Sequence, residues 1–73
     1  MGVKPVVVRS INDPGAQRCV DILRAGGLFG WVECRRDPED AHGWRPLAPP
    51  TMGFDTSAAA LSAAKAATGW MTP

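Results

Sequence analysis

The densest run of groups able to do chemistry is Arg35-Arg36-Asp37-Pro38-Glu39-Asp40-Ala41-His42, with Arg45 close behind. Imidazole titrates near neutrality and carboxylates bind hard cations, so His42 with Asp37, Glu39 or Asp40 has the composition of an acid-base pair or a metal site. A catalytic carboxylate needs burial or a fixed partner to move its pKa, and a charged turn supplies neither by itself. The run therefore reads as a solvated turn, and no catalytic residue is assigned. His42 is the only histidine. A zinc site would have to add Cys19 and Cys34 from separate elements and without CxxC spacing, so no metal and no cofactor is expected.

The remaining nucleophiles point the same way. Cys34 adjoins Arg35 and Arg36, but strand alternation turns it away from Arg35 and from the field that would lower its pKa. Ser10, Ser57 and Ser62 lack a GxSxG setting and a second histidine for a triad. Gly26-Gly27 and Gly30 precede a strand, whereas phosphate cradles open a helix. A non-enzymatic protein is the expectation, with Cys19 and Cys34 as reduced, buried thiols that pack like small apolar side chains.

Aromatic residues with arginine form the most distinctive constellation. Alternation sets Phe29, Trp31 and Arg35 on one face of a strand, with Trp44 and Arg45 on its neighbour. Trp and Arg are enriched at the centres of protein interfaces, so these five residues are candidates for binding a protein partner or a second copy of the chain. The alternative is a single-stranded nucleic acid, its bases stacked on Phe29, Trp31 and Trp44 and its phosphates held by Arg35 and Arg45. A third possibility is that Trp31 and Trp44 form a cross-strand core pair serving stability alone. A net charge of +1 gives no global field to draw in a polyanion, which weighs against nucleic acid. No small-molecule ligand is identifiable. The longest apolar run, Val6-Val7-Val8 after Pro5, is far too short for a membrane span or an export signal. A cytoplasmic protein with no membrane partner is expected, and the excess of Arg over Lys with abundant Ala and Gly suggests a bacterial source.

The elements that must position these groups fit one domain, residues 1–73. At 73 residues and 45% hydrophobic composition, the chain has enough apolar material for a single small core. Lys4 to Ser10 reads as a strand. Asp13 followed by Pro14 reads as a helix start, with Ala16, Cys19, Val20 and Leu23 as its apolar stripe and Gly26-Gly27 as its stop. Leu28 to Arg36 reads as a second strand, with the Leu28, Gly30, Val32 and Cys34 face turned toward the helices. Gly43 to Ala48 returns as a third strand, and Pro49 to Gly53 as a loop. Asp55-Thr56-Ser57 caps an Ala-rich helix from Ala58 to Thr68, anchored by Phe54, Leu61 and Trp70. The predicted fold is α+β, β-α-β-β-α, with two helices packed on one face of a three-stranded sheet. That arrangement resembles a ferredoxin-like fold lacking its last strand, a vacancy that a homodimer would fill. The sequence thus leads to a protein-interaction module acting through a sheet face or edge.

Overall fold

The computed structural model describes residues 4–15, 17–36 and 43–71; Asp37, Pro38, Glu39, Asp40 and His42 lie outside the described residues. The elements are β1 (Val6–Asn12), β2 (Arg18–Ala25), β3 (Leu28–Arg36), β4 (Trp44–Pro46), β5 (Thr51–Phe54) and α1 (Ser57–Ala67), followed by a 3-10 turn, Gly69–Met71. Every strand pairing is antiparallel. β1, β2 and β3 form a meander, and both short strands occupy the far edge of β3. β4 pairs through Cys34↔Pro46, Arg35↔Arg45 and Arg36↔Trp44, while β5 pairs through Phe29↔Phe54, Gly30↔Met52 and Trp31↔Thr51. Between them lies Pro49-Pro50, whose missing N–H groups break what would otherwise be one long strand.

This topology corrects the predicted β-α-β-β-α order. Among the described residues there is one α-helix and a five-stranded sheet, so neither the two-helix layer nor the ferredoxin-like arrangement holds. The segment expected as the first helix is β2. Its periodicity misleads because both faces of β2 are buried: Val20 and Ile22 face α1, while Cys19 and Leu23 face the other way. A strand buried on both sides reads as a near-continuous apolar run, which matches a helical stripe as well as a strand. The two signals that resemble helix ends, Asp13 and Gly26, are hairpin chemistry. Asp13 Oδ1 accepts from the backbone N–H groups of Gln17 at 2.8 Å and Arg18 at 3.1 Å, closing the β1–β2 loop. Gly26, at φ 63°, takes the first central position of the two-residue turn between the paired residues Ala25 and Leu28, as a II′-type hairpin demands.

The C-terminal helix forms as its sequence prescribes. Thr56 Oγ1 accepts from Ala59 N–H at 3.0 Å as the N-cap. Ala60 and Ala64 are fully buried, and their small side chains let α1 sit close on β2 and β3. Phe54, Leu61 and Trp70 join the same cluster, around Val20 and Ile22. Trp70 folds back over the last turn, and its Nε1–H donates to Glu33 Oε2 on β3 at 2.7 Å.

The helix covers the Phe29, Trp31 and Glu33 face of β3, not the Val32 and Cys34 face that was expected to lie beneath it. On that second face, Cys19, Leu23, Val32 and Cys34 form a small cluster with Met52 folded against it. The smallest dimension of the molecule is 17 Å, enough for a sheet and one helix layer. Gly30 is what lets β5 close on β3, because a Cβ there would collide with Met52 Sδ and the Thr51 carbonyl.

Candidate interaction site

The five residues singled out from sequence are not gathered on one open face. Phe29 and Trp31 pack in the cluster beneath α1. The Trp31 indole N–H is buried and has no hydrogen-bond partner among the described residues. Trp44 stands opposite Arg36 and is 40% exposed, whereas Arg45 stands opposite Arg35. Alternation therefore sends Trp44 and Arg45 to opposite sides of the sheet. Arg35 does belong to a charged row that the sequence did not reveal: Arg18, Arg35 and Arg45 lie side by side across β2, β3 and β4. Register alone creates that row, since the three are far apart in the chain. Phe29 and Trp31 are only partly accessible beside α1, Phe29 at the floor of a cleft.

Cys19 and Cys34 are free, buried and directly opposite one another on β2 and β3. Asp21 Oδ1 accepts from Ser10 Oγ at 2.7 Å and from the Cys19 thiol at 3.3 Å. Burial, then the hydrogen bond to Asp21 and its negative charge, pushes the Cys19 pKa up to about 11. Burial followed by the charges of Asp21 and Glu33 raises that of Cys34. Both thiols are thus held protonated at neutral pH, the opposite of what a nucleophile or metal ligand requires. Among the described residues no group of three or more metal-ligating side chains occurs.

What the fold leaves open is β1. Its inner edge pairs with β2, with a bulge between Val7 and Arg9, and among the described residues its outer edge carries no strand. Val6, Val7 and Val8 are 57, 50 and 46% exposed. Three successive β-branched apolar residues beside unpaired backbone N–H and C=O groups form a template for another strand. Natural sheets usually guard such an edge with inward charges, prolines, bulges or a covering loop; here Pro5 and Arg9 flank the valines and the bulge at Val8 is the one device among them. The signal was present in the sequence as Val6-Val7-Val8, but a strand expected inside a helix-covered sheet gave no reason to place it at a bare edge.

Comparison with protein-family models, with curated proteins and with solved structures finds no match for this chain. No helix among the described residues is long and apolar enough to cross a membrane.

Proposed function

We propose that this chain is a small, non-enzymatic interaction module of the cytoplasm that associates with a second copy through the outer edge of β1. The exposed, unpaired Val6-Val7-Val8 edge carries this reading. Antiparallel pairing centred on Val7 sets Val6 against the partner's Val8, Arg9 against the partner's Pro5 and Lys4 against the partner's Ser10. Valine then meets valine, and no like charges stand directly opposite one another. Such a contact is isologous, so one two-fold axis closes it and joins the two meanders into one continuous sheet. It also occupies the backbone groups that would otherwise invite uncontrolled strand addition.

Sedimentation equilibrium of the wild type and of Val7→Lys tests the proposal. The wild type should run as a dimer, and Val7→Lys as a folded monomer by circular dichroism. A wild type that stays monomeric at millimolar concentration overturns it. So does a dimer that survives Val7→Lys but dissociates with Trp44→Ala, which would place the contact on the sheet face instead.

A further inference from the structure

We propose that the trench between β1 and α1 is the docking site for an acidic amphipathic helix of a partner protein. This inference stands on the clefts beside α1 and not on the open backbone edge of β1, although Val8 and Arg9 border both. The sheet is four strands wide at roughly 4.8 Å per strand, whereas one helix is about 10 Å across. α1 packs over β2, β3 and β5, so the helix layer is half built. Beside it lie two clefts of about 340 and 300 Å³, and Arg9 and Leu61 line both. One is floored by Ile22 and Phe29 and reaches the first turn of α1 at Ala58. The other runs past Ile11 to Trp70 and Met71. The two form one trench along the flank of α1 that carries Ala58, Leu61 and Lys65, residues at i, i+3 and i+7 of the helix.

The charge of the trench selects its occupant. Arg9 on β1 and Lys65 on α1 border it, and among the described residues neither side chain has a hydrogen-bond or ion-pair partner. Asp13 lies at one end, but its Oδ1 already accepts from two backbone N–H groups of its own loop. The trench is therefore apolar along its floor, with a cation on each wall, Arg9 and Lys65, against one carboxylate, Asp13, at its end. An occupant must bring an apolar stripe with carboxylates on its flanks. It must also satisfy its own backbone, because a floor of side chains offers no ladder to pair with. A helix with apolar residues at i, i+3, i+4 and i+7 and Glu or Asp beside them meets both requirements. The α1 of a second copy does not, since it has no acidic residue and would set its own Lys65 against these cations.

The test uses the full chain carrying Val7→Lys, so that self-association cannot imitate or mask binding. Two synthetic peptides are titrated at low salt: one with Leu at the stripe positions and Glu elsewhere, and its counterpart with Lys for every Glu. Amide shifts and Trp70 fluorescence are followed. Expected are saturable shifts confined to Arg9, Ile11, Ala58, Leu61, Lys65 and Trp70, at least tenfold tighter binding of the Glu peptide, and reversal of that preference in Arg9→Glu/Lys65→Glu. Equal binding of the two peptides, shifts centred elsewhere, or no response to charge reversal in a folded variant overturns the proposal. The same shifts produced by phosphatidylglycerol vesicles in place of peptide overturn the choice of a protein helix. Failure here leaves the β1 edge contact standing, and monomeric wild type leaves this site standing.

Discussion

β3 and β1 are strands of the same sheet with opposite fates. β3 is paired along both edges, by β2 on one side and by β4 and β5 on the other, and it lies beneath α1. Among the described residues β1 has a single neighbour, and it keeps three valines about half exposed. The difference teaches where stability and association reside. Substitutions around β3 should damage the fold, whereas those on the outer side of β1 should alter what the fold can bind. In a chain this small, with little core to spare, such a division lets one end be rigid and the other adhesive.

The sharpest way to break the contrast is at its closed end. Gly30→Ala drives a Cβ into backbone and side-chain atoms of β5, and should cost about 3 kcal/mol by urea denaturation. A cost below about 0.5 kcal/mol would mean that β5 is not held where it stands. Raising the pH acts on the same face of the sheet, at Cys19 on β2. The folded Cys19 thiol titrates at about 11 against an ordinary value of 9.0, so the unfolded chain loses its proton first. Its contribution to stability is therefore complete below pH 9 and falls as the pH rises toward 11. Thermal melting of wild type against Cys19→Ala between pH 8 and 11 reads this directly, and the wild type should show the steeper decline. Iodoacetamide should likewise alkylate the native thiol far more slowly than the urea-unfolded one at pH 8.

Smaller effects follow. Trp70→Phe removes the donor to Glu33 and should cost about 1.5 kcal/mol, a loss that Glu33→Gln in the same background should partly relieve. Thr56→Ala removes the N-cap of α1 and should cost about 1 kcal/mol. Val7→Lys, on the open edge, should change monomer stability by less than about 0.5 kcal/mol. If it matches Gly30→Ala instead, the two ends of the sheet are not different in kind.

Some of this was legible in the residues themselves. Leu28–Arg36 is a strand with the predicted bounds, because it carries the alternation of a half-covered surface throughout. Thr56, the alanines and the Trp70 that folds back specify α1 at close range, through a cap, intrinsic propensity and one apolar contact. The candidate site was legible only as parts. Val6-Val7-Val8 announced a strand, and Phe29, Trp31, Trp44 and Arg45 announced unusual side chains, without saying which would be covered.

The sequence by itself therefore determined the local devices: which residues close loops, cap the helix and stay apolar. It left β2 ambiguous, because a segment buried on both faces loses the alternation that marks a strand. Only tertiary structure decided that Asp13 closes a hairpin loop instead of starting a helix, although the same carboxylate accepts backbone N–H groups in either role. It also decided that Phe29 and Trp31 lie under α1 while β1 is left bare. Side-chain chemistry acts within a few residues, whereas which face is covered and which edge is open depends on pairings between strands distant in the chain.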